Sequence, residues 1–301
     1  MQENTNFLYL ALNKSKKQTP QPVSFITRKI KTSTTSIGRK HGFLEAGVLY
    51  LLFMKNETAE QAAKLQSYID SSKRIVFFGG AGVSTESGIP DFRSEDGLYN
   101  QKWDWPPEEI LSAVFFFANT AEFYRFYREK LLVSGIKPNA AHYKLAELEQ
   151  AGKLSAVITQ NIDGLHQAAG SKNVLELHGS TLRNFCTKCS KPFDASYISS
   201  HQDEKGIPRC DKCGGLIKPD VVLYGESLNQ DTISRAVDAL QKADMLIIGG
   251  TSLTVYPAAG LINYFSGNKL VLINKAATQS DGIATLVIHD SIGKVLGRIA
   301  I

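Results

Sequence analysis

From Thr58 onward the chain alternates between short apolar runs and longer amphipathic stretches. Ala62, Leu65 and Ile69 recur at intervals of three and four between Thr58 and Ser71, which predicts a helix. Arg74–Phe78 then gives a short apolar run that ends in Gly79-Gly80-Ala81-Gly82. Comparable runs occur at Ala156–Thr159, Val174–Leu177, Val221–Leu223, Met245–Ile248, Leu270–Ile273 and Leu286–Ile288. Helical patterns fall between most of them, at Ala140–Gln150, Asp231–Lys242, Pro257–Phe265 and Ser291–Ile299. Asn139, after Pro138, caps the first of these, and Gly152 closes it. Short strands that are apolar on both faces and alternate with helices predict an α/β fold with a parallel sheet covered on both sides. Two stretches interrupt the alternation, Ser94–Gly135 with its aromatic helical pattern and Arg183–Lys218 with the cysteines. Both read as insertions that build a smaller domain over the sheet. The large part then comprises residues 54–93, 138–182 and 219–301, and the small part residues 94–137 and 183–218.

Residues 1–53 differ from this body. They are rich in Ser, Thr and Lys, poor in acids and without sustained periodicity. Two readings stand: an organellar transit segment, from the basic, hydroxylated composition of Phe25–Phe43, or an upstream extension that is disordered or not native, with Met54 as the true start. The charge pattern follows the same boundary. The 301-residue chain has a formal net charge of +5, yet residues 1–53 carry eight Lys and Arg against two acids, which leaves the body nearly neutral. A basic surface for nucleic acid is therefore not expected, and no specific nucleic-acid partner is. No apolar run approaches the roughly 18 residues needed to cross a bilayer, so no membrane partner is expected. The expected compartment is the cytoplasm.

The chemistry sits at strand ends, where open α/β sheets bind ligands. Gly79–Gly88 follows the first strand, and Gly80 and Gly82 would let the backbone approach a pyrophosphate. The third glycine of a dinucleotide fingerprint comes late, at Gly88, and the usual ribose-binding acid about 20 residues on is not recognisable. The continuation Gly88-Ile-Pro-Asp-Phe-Arg93 adds an acid, a ring and a cation in succession. Gln160, Asn161 and Asp163 crowd polar groups onto the end of another strand, suited to a ribose and an amide. His178 ends a third, where a side chain titrating near neutrality can move a proton. His142, His166 and His201 have no such company and read as structural. Gly249-Gly250-Thr251-Ser252 is a small-residue turn suited to phosphate, and Asn274 could reach a second ribose.

Cys186-x-x-Cys189 and Cys210-x-x-Cys213 are separated by 20 residues. Each pair can clamp half of a tetrahedral zinc, and four thiolates leave no open position for water. One structural zinc is expected, in a reducing compartment.

Together these stretches resemble the sirtuin family: GAGVSTESGIPDFR (Gly80–Arg93), TQNIDGLH (Thr159–His166), LHGS (Leu177–Ser180), both cysteine pairs, VVLYGE (Val221–Glu226), GTSLTVYPAA (Gly250–Ala259) and LIN (Leu272–Asn274). The resemblance runs from about Thr58 to Ile301. It implies a Rossmann-like doubly wound parallel sheet, a smaller zinc-ribbon plus helical domain, and an active site in the cleft between them. It implies an NAD-dependent protein-lysine deacetylase that releases nicotinamide and O-acetyl-ADP-ribose, with acetylated lysine in proteins or peptides as substrate. By motif position, Ala81, Glu86, Asp91, Phe92 and Arg93 would line the cofactor loop, Gln160, Asn161 and Asp163 the nicotinamide-ribose region, and Thr251, Ser252 and Asn274 the phosphate and adenosine side. His178 would be the general base, with Asn161 beside it in the catalytic centre. Val222, Tyr224 and Gly225 would pair with the substrate backbone and line the acyl-lysine tunnel. Family members that prefer acidic acyl chains carry Tyr-x-x-Arg in the helical insertion. Here the corresponding place reads Tyr124-Arg-Phe-Tyr127, and Arg128 lies one position late, about 100° round the helix. Uncharged acyl groups are therefore expected. ADP-ribosyl transfer from NAD, a zinc-ribbon nucleic-acid-binding protein and a dehydrogenase are the competing readings.

Overall fold

Every residue of β1, Ile75–Gly79, and of β7, Met245–Gly249, is buried, which is the burial of strands covered on both faces. The structure is a computed structural model that describes residues 59–92, 94, 97–100, 102–132 and 135–301. The readings of residues 1–53, of the helix start at Thr58 and of Arg93 lie outside the described residues. Six parallel strands form the main sheet: β1, β7, β2 (Leu154–Thr159), β3 (Val174–Glu176), β8 (Lys269–Ile273) and β9 (Leu286–Ile288). Their order is β3-β2-β1-β7-β8-β9. The chain works outward from β1 on one side, then crosses back to β7 on the other. The carboxyl ends of β1 and β7 therefore flank the switch point.

The two-residue period of a strand divides the core. Ile75, Phe77, Val157, Ile247 and Val271 point to one face. There they pack against α1 (residues 59–70), α5 (Ala140–Gln150) and α9 (Ile292–Leu296). Val76, Phe78, Ile158, Leu246 and Ile248 point to the other, against α8 (Gln230–Lys242) and the 3-10 segment Ala258–Tyr264. The Pro257–Phe265 pattern thus forms a helix, wound more tightly than an α-helix. Among the described residues no helix is long and apolar enough to cross a membrane.

The run Val221–Leu223 departs from expectation. The strand there is β6, Ile217–Val221, and it belongs to a second, antiparallel sheet of order β5-β4-β6. Its partners are β4 (Gly179–Cys186) and β5 (Pro192–Asp194). Burial alternates along β6, as it does in a strand with one solvated face, so the apolar run at its end is not a core strand.

A third core gathers residues from both interruptions of the alternation. Phe115, Phe116, Phe123, Tyr124, Phe126 and Tyr127 come from α3 (Ala113–Ala118), α4 (Thr120–Phe126) and the π-wound turn Tyr127–Leu131 that continues α4. They pack against Cys186, Phe193, Ile198, Ile207, Cys210 and Ile217. Each such ring buried is worth about 1.5–3 kcal/mol.

His142 and His166 are buried beneath the sheet ends with their rings 4.8 Å apart, edge to face. His142 Nδ1 accepts from Asn139 N at 3.2 Å, which closes a capping box on α5. Neither ring nitrogen of His166 has a hydrogen-bond partner among the described residues. Burial brings His142 down to about 4, with the Asp163 charge pulling the other way. Burial, with His142 alongside, brings His166 down to about 3. An unfolded chain protonates both below about 6.5, and the folded chain resists. The stability they carry is therefore complete above that pH and is lost as pH falls towards the folded values. Urea unfolding at pH 5.5 should give a stability about 2–3 kcal/mol below that at pH 7.5, and His166→Leu should remove about half of the difference.

Candidate functional site

β1 and β7 deliver two glycine turns to the same point. Gly80 N donates to Gly249 O at 3.3 Å, Gly82 N to Gly250 O at 2.8 Å, and Gly250 N to Ile273 O at 3.1 Å. A Cβ on Gly82 would lie 2.8 Å from Gly250 Cα, and one on Gly80 would lie 2.8 Å from Thr251 Cβ. Gly82 and Gly250 meet as bare backbone, which is the surface a pyrophosphate needs. The chain then makes two short 3-10 turns, Ala81–Val83 and Thr85–Ser87, and turns away at Gly88 with φ +93°.

The polar strand ends converge under this loop. Gln160 N donates to Gly79 O at 3.0 Å, and Gln160 Nε2 reaches Thr251 Oγ1 at 3.0 Å. Asn161 Nδ2 donates to Ser84 Oγ at 3.1 Å, and Ser84 Oγ donates to Asp163 Oδ2 at 2.6 Å. Leu165 N donates to Asp163 Oδ1 at 2.9 Å, at the start of α6 (Leu165–Ala168). Ser84 is the shared atom of this cluster, and the motif reading does not single it out. Its only sequence signal is a hydroxyl two residues past the glycines.

His178 joins the cluster through its backbone neighbour. Its Nδ1 lies 3.0 Å from Gln160 O. A carbonyl can only accept, so Nδ1 carries the proton and the neutral ring keeps its lone pair on Nε2. Burial lowers the imidazole below its ordinary value, and the Gln160 bond offsets part of that. Gly179, next along, has φ +75°, and a Cβ there would run into the Asp220 carbonyl. The chain therefore bends sharply just after the imidazole.

The other expected residues lie around this centre. Glu86 Oε1 accepts from Gly293 N of α9 at 2.8 Å, so its carboxylate fastens the loop to that helix. Asp91 Oδ1 accepts from Ser94 N at 2.7 Å, and the Phe92 ring meets Tyr99 edge-on at 5.7 Å. Ser252 Oγ pairs with Thr254 Oγ1 at 2.9 Å, and Asn274 Nδ2 donates to Ala276 O at 2.9 Å beyond β8. Val222 N donates to His178 O at 3.0 Å. Tyr224 pairs through its backbone with Leu111 and Ala113, and its hydroxyl lies 2.9 Å from that of Tyr99. Gly225, at φ +91°, has nothing near its Cβ position.

Tyr124 and Tyr127 are fully buried in the aromatic core, where the Tyr124 hydroxyl donates to Ile217 O. Burial holds both phenols well above their usual range. Arg128 faces the cysteine module, with Nη1 donating to Gly206 O at 2.8 Å.

The four cysteine sulfurs lie within 4.8 Å of one another. Cys186–Cys213 are 3.5 Å apart and Cys189–Cys210 3.7 Å, too far for disulfides. Four sulfurs each about 2.3 Å from a central zinc would stand about 3.8 Å apart, so the donor set fits one tetrahedral ion. Burial opposes ionisation of Cys186, but the backbone N–H groups of Cys189 and Lys188, with the Cys213 and Cys189 thiols, outweigh it and bring the thiol down to about 6. Elemental analysis should find one zinc per chain. Cys186→Ser should lower zinc content and thermal stability together, and wild-type stability without bound zinc would refute the structural role.

The Sir2 family matches residues 80–257. An NAD-dependent protein deacetylase of Clostridium acetobutylicum is 61% identical over 235 residues, covering 77% of this chain and 95% of that protein. One from Staphylococcus epidermidis is 48% identical over 238 residues, 78% of this chain and 95% of its own. A Sir2 enzyme solved for its mechanism and regulation superposes with a TM-score of 0.72 at 42% identity, covering 79% of this chain and 96% of that one. A Sir2 protein bound to a deacetylated peptide and 3'-O-acetyl-ADP-ribose gives 0.73 at 39% identity, with coverages of 78% and 95%. A match over the glycine loop, the strand-end cluster and the cysteine module, at this identity and over nearly the whole of each relative, is one of common descent: the chain belongs to the Sir2 family, the sirtuins.

Proposed function

We propose that this chain is an NAD-dependent protein-lysine deacetylase whose general base is His178. The observation that carries the reading is the single hydrogen-bonded cluster under the glycine loop, in which the Gln160 carbonyl fixes the tautomer of His178. NAD bound there supplies an electrophilic ribose carbon and an acceptor for the acyl group, with nicotinamide as leaving group. The protein's part is positional and electrostatic. Gly80, Ala81 and Gly82 face Gly250, Thr251 and Ser252 across the switch point and offer backbone to the pyrophosphate. Gln160, Asn161 and Asp163 hold the nicotinamide ribose, and Asn274 the adenosine side. Glu86 keeps the loop on α9, while Asp91 and Phe92 form its outer part. His178 Nε2 takes a ribose hydroxyl proton. Val222, Tyr224 and Gly225 hold the acyl-lysine peptide, and the segment is already edge-paired on the side of Leu111 and Ala113.

Residues 54–93, 138–182 and 219–301 form the cofactor-binding part in this reading, and 94–137 with 183–218 the smaller part that closes the cleft. The zinc in it is structural. Four thiols held as metal ligands suit a reducing compartment, which supports the cytoplasm as location.

Incubation with NAD and an acetylated peptide should release nicotinamide in proportion to peptide deacetylated. A 340 nm absorbance without free nicotinamide would instead mean hydride transfer. His178→Ala should lose on the order of 10²–10⁴-fold in rate with the fold intact. Because burial lowers His178, kcat/KM of the wild type should fall only as pH drops through a value below 6.5, and that acid limb should vanish in the variant.

Acyl preference follows from the helical insertion. Arg128 is turned onto Gly206 O, and Tyr124 and Tyr127 are neutral phenols, so none of the three supplies a free cation at the acyl end. A buried carboxylate without a partner costs several kcal/mol. Acetyl-lysine peptide should therefore exceed succinyl-lysine peptide in kcat/KM by at least about a hundredfold. Equal rates would show that some cation reaches the tunnel.

A further inference from the structure

The two 3-10 turns of the cofactor loop are too short to hold themselves. Each has three residues and closes on i→i+3 bonds: Val83 N to Gly80 O and Ser84 N to Ala81 O in the first, Ser87 N to Ser84 O and Gly88 N to Thr85 O in the second. Such turns have poor hydrogen-bond geometry and seldom extend. Their junction, Ser84, makes no side-chain cap to the second turn. Asn139 braces both turns from across the fold. Its Nδ2 donates to Val83 O at 2.8 Å and to Ser87 Oγ at 2.9 Å, one residue before the bend at Gly88.

Every other hydrogen-bonding group of Asn139 faces α5. Its Oδ1 accepts from Ala141 N at 2.9 Å, its backbone N donates to His142 Nδ1, and its carbonyl accepts from Tyr143 N at 3.2 Å. The carbonyl of Val83 can only accept and the amide of Ala141 can only donate, so the side-chain amide has one possible orientation. α5 itself is anchored in the core by Ala141, Leu145 and Leu148. Asn139 is thus a rigid bracket between a well-packed helix and a weakly self-supporting loop.

We propose that Asn139 is a positioning residue for NAD binding: it sets cofactor affinity by fixing residues 81–87 through its two Nδ2 hydrogen bonds, without touching the cofactor. This rests on the reading of the glycine loop as the NAD site. Asp caps a helix about as well as Asn but its carboxylate has no donor, and Ser caps comparably with a single hydroxyl donor on a shorter side chain, so neither keeps both Nδ2 bonds and the variants separate the bracket from the cap.

The experiment compares wild type, Asn139→Asp and Asn139→Ser as full-length zinc-loaded protein. NAD affinity is measured by calorimetry without peptide, steady-state constants with an acetylated peptide, and backbone hydrogen exchange in the absence of NAD. Kd and KM for NAD should rise about tenfold in both variants, while kcat at saturating NAD and KM for peptide stay within about twofold. Amides of residues 83–88 should exchange faster, and those of α5 should not. Ser87→Ala cuts one of the two bonds and should give an intermediate rise in Kd; it serves if the Asn139 variants do not fold. Unchanged NAD affinity in folded variants overturns the role of Asn139. So does faster exchange spread equally over α5, which marks a general loss of structure. A wild type that does not bind NAD at all overturns the reading of the site instead.

Discussion

A Cβ on Gly82 would sit 2.8 Å from the Gly250 Cα, and one on Gly250 would run into the Val83 nitrogen. The turns after β1 and β7 can therefore meet only as backbone against backbone, at the one place where the strand order reverses. That contact fixes the start of the glycine loop. It also brings Thr251 within reach of Gln160 and leaves Ser84 above Asn161 and Asp163. Six parallel strands, with β1 and β7 buried throughout at their centre, are the frame that holds the two turns in register.

Around that contact the polar groups are satisfied by one another. Ser84 accepts from Asn161 and donates to Asp163, and Asp163 also accepts from Leu165 N. A buried polar group without a partner costs about 1–3 kcal/mol, so such a cluster has few alternative arrangements. His178 sits at its edge, half-buried, with one nitrogen committed and the other available. Burial that would destabilise an imidazolium suits a base, because it keeps the lone pair free near neutral pH.

The aromatic core beside the cysteine module has a different logic. Chain between Ile110 and Leu132 shares one apolar cluster with chain between Cys186 and Leu223, and the thiols lie at its margin. Tyr124 and Tyr127 belong to this cluster, so the helical insertion contributes its bulk to packing first. Arg128, turned onto Gly206, joins insertion to module.

The frame is legible in the amino-acid pattern alone. β1 and β7 are apolar throughout because both faces are covered, and α5 appears in full because its cap, periodicity and terminator are contiguous in the chain. The cysteine spacing also needs no structure, since two Cys-x-x-Cys pairs state their own coordination. What depends on distant partners was not legible. β4, Gly179–Cys186, is largely polar and becomes a strand only beside β6, and Val221–Leu223 has an apolar run that ends an antiparallel strand. Glu86 lies among glycine-loop residues, yet its carboxylate is taken by a helix 207 positions away. Asn139 announces a helix start, while its amide holds a loop more than 50 positions upstream. Periodicity records which face of an element is buried, because burial acts on every residue of that element. Where a single polar side chain points is set by one partner, and only the tertiary fold brings that partner near.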